Sequence, residues 1–250
     1  MRALDFLHAF ARRRAPREVP VPGGFAVLDD RFPGSYDDNK LIVRTAPDDD
    51  PAAAVARLLA AADEALGSHG HRLVCVDDDR LGTAYAPAFA AAGYEHETNL
   101  LMAFRGPVPR DPAPAERLEL PELIPVLRRD WRRTLPQAPD AVIDGLARRV
   151  ESRLRGAGSV GFHGVRAPDG EIATRADLYA HDGVAQIESV FTGEPYRGKG
   201  YARALMTALL AESAGAELIF LVADADDWPR HFYSRLGFEQ LGRTHAFLRT

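Results

Sequence analysis

The run Val190-Phe-Thr-Gly-Glu-Pro-Tyr-Arg-Gly-Lys-Gly-Tyr-Ala-Arg-Ala-Leu205 decides the reading of this 250-residue chain. It leads from the end of an apolar strand, Val184 to Thr192, into a helix that runs to about Ser213. Tyr201, Leu205, Ala208, Leu209 and Ala211 supply the apolar face of that helix. A helix start leaves up to about four backbone N–H groups without intrahelical partners, at the positive end of the dipole. Glycines at 198 and 200 let a ligand reach that backbone with no Cβ in the way. Such a turn binds phosphate or pyrophosphate, and Arg197 and Lys199 add positive charge. It is not a P-loop, since the Gly-Lys-Ser/Thr sequence is missing. Nor is it the dinucleotide fingerprint, since the third glycine is absent and the strands upstream read as a meander.

Working outward, Ser159–Ala167, Glu171–Ala180 and Val184–Thr192 are three strands joined by the turns Pro168-Asp-Gly170 and His181-Asp-Gly183. Two helices precede them, over 121–134 and 140–154, the second with Val142, Ile143, Leu146, Val150 and Leu154 at helical spacing. Downstream come a buried strand over 218–223, a helix over 228–236 and two short final strands. An antiparallel meander followed by a strand-helix-strand crossover makes an α/β (α+β) class of fold. It has a mixed, mostly antiparallel central sheet flanked by helices.

Four prolines in the nine residues from Gly106 to Pro114 fit neither a helix nor a central strand, so 106–115 reads as a linker. It separates residues 1–105 from 116–250. The first half reads as an amphipathic helix over Met1–Arg14, a strand at Leu41–Arg44, a helix at Ala52–Leu66, a strand at Arg72–Val76, a helix at Tyr85–Ala92 and a strand at Leu100–Phe104. That order repeats the end of the second half, which points to an internal duplication and a smaller, degenerate α/β domain. Convergent β-α-β-α patterning is the alternative.

Composition sets outer limits. Hydrophobic residues are 46% and charged residues 27% of the chain, an ordinary globular balance. A net charge of −5 argues against a protein built to grip nucleic acid by its phosphates. A single cysteine, Cys75, excludes an intrachain disulfide and a multi-cysteine zinc cage, and fits a reducing compartment. No stretch approaches ~20 uninterrupted apolar residues, so no membrane span is expected. The N-terminus lacks the charge order of a secretory signal, so a cytoplasmic location is expected.

Two motifs together carry a family resemblance over about 116–250. Pro195-Tyr-Arg-Gly-Lys-Gly200 resembles the Gln/Arg-x-x-Gly-x-Gly/Ala motif of the GNAT acyltransferase superfamily, with Pro195 in the Gln/Arg position. Asp226-Asp-Trp-Pro-Arg-His-Phe-Tyr-Ser-Arg-Leu-Gly-Phe238 resembles that family's Asn-x-x-Ala-x-x-x-Tyr-x-x-x-Gly-Phe, with Asp226 for Asn and Pro229 for Ala. The resemblance implies acetyl-CoA as co-substrate and no metal. It places Val190, Phe191 and Thr192 along the pantetheine arm. Arg197, Gly198, Lys199, Gly200, Tyr201, Ala202 and Arg203 would surround the pyrophosphate, with Asp226 also on the cofactor side. Tyr233 would protonate the leaving thiolate. The first half departs from the pattern: Phe89 stands where Tyr233 is expected, and no glycine occurs between Val43 and Ala52.

Transfer to an amine also needs a base, because the amine must be neutral when it attacks. Glu188, on a strand where it alternates with Gln186 and Val190, is the candidate, and Asp177 beside Tyr179 is its rival. Burial at the sheet would raise such a carboxylate's pKa toward a useful range. His163 and His181 read as satisfied polar residues, His231 as surface, Cys75 as core and Asp77-Asp-Asp79 as a solvated turn. The basic helix with Arg128, Arg129, Arg132 and Arg133 reads as a solvated face, or else as a guard favouring an acidic acceptor. The reading is therefore an N-acetyltransferase for a small-molecule or peptide amine, as a monomer or homodimer, with no nucleic-acid or membrane partner. Its rivals are a non-catalytic acyl-CoA-binding or regulatory module and an interaction scaffold with no cofactor.

Overall fold

The computed structural model describes residues 1–112 and 115–250. The expected linker 106–115 thus falls partly on 113–114, outside the described residues. In chain order the elements are α1 (Arg2–Arg14), β1 (Arg17–Val21), β2 (Gly24–Leu28), β3 (Lys40–Val43), α2 (Pro51–Leu66), β4 (Arg72–Val76), α3 (Asp79–Ala91) and β5 (Glu95–Phe104). Then follow β6 (Glu116–Arg117), α4 (Leu120–Thr134), α5 (Asp140–Arg148), α6 (Val150–Arg153), β7 (Ser159–Arg166), β8 (Ile172–His181) and β9 (Val184–Thr192). The chain ends with α7 (Tyr201–Glu212), β10 (Leu218–Asp224), α8 (Pro229–Arg235) and β11 (Phe238–Arg249).

These elements form two compact units that interleave along the chain. The first comprises Met1–Phe10, Ala103–Leu221 and Tyr233–Glu239; the second comprises Ala11–Met102, Val222–Phe232 and Gln240–Thr250. Membership therefore does not follow the linear split at the proline-rich stretch. α1, β5, β10, α8 and β11 each contribute residues to both units.

In the first unit the strands run in the order β6-β7-β8-β9-β10. The first three pairings are antiparallel and β9–β10 is parallel. α7 makes the crossover that a parallel pair requires. It buries Leu205, Met206, Leu209 and Leu210. The expected face had Ala208 and Ala211 in place of Met206 and Leu210: the larger side chains are the ones turned into the core. A single helix over 140–154 is corrected to α5 and α6, divided at Arg149. Val142 and Leu154 are consequently exposed rather than core. The first residues of α1 belong here. The Phe6 ring meets Phe220 edge-on at 5.7 Å, and Phe10 stacks on Tyr179 at 4.5 Å. Gly156 is required at that contact, because a Cβ there would lie 2.3 Å from the Phe10 ring.

In the second unit the strand order is β1-β2-β3-β4-β11-β5, with β3–β4 parallel and joined through α2. Its core comprises Leu41, Val43, Leu58, Val74, Tyr85, Phe89 and Phe247, all essentially inaccessible. The hairpin β1–β2 escapes sequence reading because Pro20, Pro22 and two glycines mask it; proline is tolerated in β1 because that strand is at the edge. The two expected final strands are one long strand, β11. α3 begins six residues before the expected Tyr85, because the Asp78 side chain accepts the Leu81 N–H at 2.9 Å and caps it. Asp79 accepts a hydrogen bond from His245 Nε2 at 3.0 Å. Two of the three aspartates, both exposed, thus have structural work within the turn. Cys75 pairs with Ala246 in the sheet, and burial pushes its thiol pKa up to about 11, the state of an inert thiol.

Candidate active site

The first unit holds Glu188, Val190–Thr192, Arg197–Arg203 and Tyr233; Asp226 belongs to the second. The turn ahead of α7 is built as its glycines require. A short 3-10 turn, Glu194–Tyr196, carries Pro195 in its first turn. Gly198 (φ +72) and Gly200 (φ +88) then both take the left-handed conformation. A Cβ added at either would meet nothing within 4 Å, so the space that faces them is open to a ligand. The first helical hydrogen bond runs from the Ala204 N–H to the Gly200 carbonyl at 3.0 Å. The N–H groups of Tyr201, Ala202 and Arg203 therefore precede the hydrogen-bond ladder. Gly200, the N-cap, has no side chain with which to cap them.

The turn is held from behind. The Tyr196 hydroxyl donates to Asp169 at 2.8 Å, and Arg197 Nε donates to the Thr192 carbonyl at 3.3 Å. Lys199 Nζ lies 5.9 Å from the centre of the Tyr196 ring. Arg197 to Gly200 are exposed. Uncapped backbone donors and two cationic side chains thus share one exposed corner.

β9 is irregular where the chemistry is expected. Asp177 on β8 faces Glu188, and Arg175 faces Phe191, so Ser189 and Val190 together oppose Ala176. This is a bulge, with Ser189 at φ +56. It corrects the expected alternation: Glu188 and Gln186 share a face, but the extra residue breaks the period before Val190. On its other side, among the described residues, the register with β10 runs from Val184↔Leu218 to Gln186↔Phe220, while β9 continues to Thr192.

The bulge is anchored by a buried ion pair. Arg153 Nη1 bonds Asp177 Oδ2 at 2.5 Å and Ser189 Oγ at 3.0 Å. The Tyr179 hydroxyl donates to the same Asp177 oxygen at 2.6 Å, and burial pushes the tyrosine's pKa well above its usual value. Asp177 is thus engaged by two donors and is 4% exposed. Two donors already engage that carboxylate, so it would take a proton from a substrate only in competition with them. Removing one partner of a buried pair costs about 3 kcal/mol or more, because the other charge stays buried. Asp177→Ala is therefore expected to destabilise the protein by about 3 kcal/mol, read from the midpoint of urea unfolding.

A cleft of about 250 Å³ lies beside the bulge, with Leu127, Trp131, Arg153, Asp177, Ser189 and Phe191 among its walls. A second, of about 270 Å³, is flanked by Arg129, Arg133, Arg175 and Phe191. Arg175 pairs with Asp130 at 3.2 Å over the Phe191 ring, and burial pulls its pKa down. Of the four arginines on α4, Arg128, Arg129 and Arg132 pair with Asp144, Glu171 and Asp140. Tyr233 is 8% exposed, with its ring edge-on to Phe238 at 6.1 Å. Gly237 (φ +97) ends its helix, and a Cβ there would lie 2.9 Å from Gly106 Cα.

Sequence reasoning missed Arg153 and Ser189. An arginine near the end of an amphipathic helix carries no sign that it will be buried, and a bulge leaves no composition signal. His163 is buried against Glu212 at 3.2 Å on α7, and burial lowers its pKa. Among the described residues no cluster of three or more His, Cys, Asp or Glu side chains is arranged to hold a metal, and no helix is long and apolar enough to cross a membrane.

The second unit has the same strand-helix-strand arrangement in β3-α2-β4, with the helix start built differently. Asp50 caps α2 with its own carboxylate, accepting the Ala53 N–H at 2.8 Å. That carboxylate occupies the place where an anion would bind. Phe89, in the position corresponding to Tyr233, is inaccessible and stacks on Phe247 at 4.2 Å.

Comparison with known proteins agrees with this geometry. Residues 120–238 match the model of the acetyltransferase (GNAT) family, and they form a GNAT acetyltransferase domain. No functionally curated protein matches the chain in sequence. Among solved structures, the chain is similar to a conserved protein of unknown function from Staphylococcus epidermidis, at 13% identity, TM-score 0.68, covering 92% of each chain. It is also similar to a GCN5-related N-acetyltransferase from Kribbella flavida, at 18% identity and TM-score 0.63, covering 98% of this chain and 94% of that one. A tandem GNAT protein from the clavulanic acid biosynthesis pathway gives 17% identity and TM-score 0.56, covering 99% and 93%. At these identities the likeness is one of fold, and it includes the first hundred residues.

Proposed function

We propose that this protein transfers an acetyl group from acetyl-CoA directly to a primary amine, through residues of the GNAT domain. The observation that carries the reading is the pair of left-handed glycines, Gly198 and Gly200, whose open side lies ahead of the uncapped start of α7. That surface fits a pyrophosphate: it is open, and no side chain caps it. Arg197 to Arg203 hold the diphosphate in this reading, and Val190, Phe191 and Thr192 offer backbone groups to the pantetheine arm. Acetyl-CoA supplies the activated thioester.

The protein's part is to position and to move protons. Glu188 accepts the proton of the incoming ammonium, and Tyr233 donates one to the departing sulfur. The second unit, with Asp50 and Phe89 where a phosphate turn and a tyrosine would be needed, acts as a degenerate copy without a cofactor site of its own.

The test combines titration calorimetry of the full chain with CoA and an assay of thiol release from acetyl-CoA. The acceptors are an alkylamine, an amino acid amide, a polyamine and a peptide with a free N-terminus. Saturable CoA binding and amine-dependent thiol release are expected, with release reduced roughly 10²-fold or more by Glu188→Gln. Binding without release for any acceptor would favour a non-catalytic module, and no binding would remove the reading altogether.

A further inference from the structure

We infer that Gln186 is a positioning residue that holds the Glu188 carboxylate in place and keeps it ionised; the inference rests on the reading of Glu188 as the base. Gln186 Nε2 donates to Glu188 Oε2 at 2.7 Å along the same face of β9. The donor is rigid. Gln186 is 3% exposed and is paired through the sheet with Tyr179 on one side and Phe220 on the other. Its amide oxygen is buried and, among the described residues, has no hydrogen-bond partner. A buried amide left half satisfied is a cost to folding, which a methionine or leucine at that position would avoid. The half that is satisfied points at the carboxylate proposed as base, so stability alone does not account for a glutamine here.

An N–H donated to a carboxylate favours its charged form. The surroundings need that help. Asp177 on β8 lies directly opposite Glu188, and its charge opposes a second carboxylate on the same face. Arg153 from α6 offsets Asp177 through their ion pair, and the Tyr179 hydroxyl is turned toward Asp177. The rings packed from α1 and β10, Phe10 on Tyr179 and Phe6 on Phe220, bring no charge. Gln186 is a neutral donor that contacts Glu188 itself.

The proposal is tested by titrating the glutamate side-chain carboxyl carbons of the full chain by 13C NMR, with the Glu188 resonance assigned through Glu188→Gln. Gln186→Met keeps the length of the side chain and removes the N–H. It is expected to raise the Glu188 midpoint by about one pH unit, while thermal stability is unchanged or increased. In the thiol-release assay the acidic limb of the rate profile moves up by the same amount, with the KM for acetyl-CoA within about two-fold of the parent. An unmoved midpoint overturns the proposal with its premise intact. Full thiol release by Glu188→Gln overturns it through the premise, with the titration shift intact. Gln186→Leu is the second variant, and failure of both to fold also overturns it by making Gln186 a structural residue.

Discussion

Gly198→Glu is expected to abolish CoA binding, weakening it by at least about 10³-fold, near 4 kcal/mol at 1.4 kcal/mol per decade. Two effects add. The backbone at 198 has φ +72, where a residue with a Cβ costs about 1–2 kcal/mol. The new carboxylate would also project into the open space that the diphosphate is proposed to occupy, and like charges brought together at an interface cost several kcal/mol. Gly198→Ala separates the two. No atom lies within 4 Å of the added Cβ, so only the backbone cost remains, and a loss of about tenfold or less is expected. Calorimetry with CoA reads both variants, and circular dichroism confirms that each is folded. Micromolar affinity in Gly198→Glu would show that the diphosphate does not sit on this turn.

Tyr233→Phe should lower the rate constant for transfer by about 10³-fold, within the span of general acid catalysis, and leave CoA affinity within about two-fold. The hydroxyl is the only atom removed. The ring keeps its edge-on contact with Phe238. A fall in kcat at constant KM marks an interaction made in the transition state rather than with bound substrate. An unchanged rate would remove Tyr233 from the mechanism; a fall in CoA affinity alone would make it a binding residue.

The two units differ chemically at their helix starts. α7 begins with a left-handed glycine and leaves its donors uncapped; α2 begins with Asp50, whose carboxylate uses one of them. A helix N-terminus accepts either its own carboxylate or a ligand's phosphate. One aspartate therefore marks the difference between a helix that caps itself and one whose start is left open, and it is legible in the sequence as Asp50 against Gly200.

Local chemistry made much of this protein readable without coordinates. The ends of β9 follow from its apolar run and flanking turns, and the turn ahead of α7 follows from two glycines, the residue that adopts positive φ without strain. The α2 and β4 spans likewise agree with periodicity to within a residue. Contacts between residues distant in sequence leave no such local mark. Arg153 is buried because Asp177 and Ser189 receive its guanidinium, and no spacing rule relates residues on a helix and two strands. The bulge at Ser189 depends on what β8 presents opposite it. The interleaving of the two units depends on which long strands their ends join. Backbone preference and capping act over a few residues and are recorded in the sequence. Burial, register and charge pairing are properties of surfaces brought together by folding, and only the tertiary structure decides them.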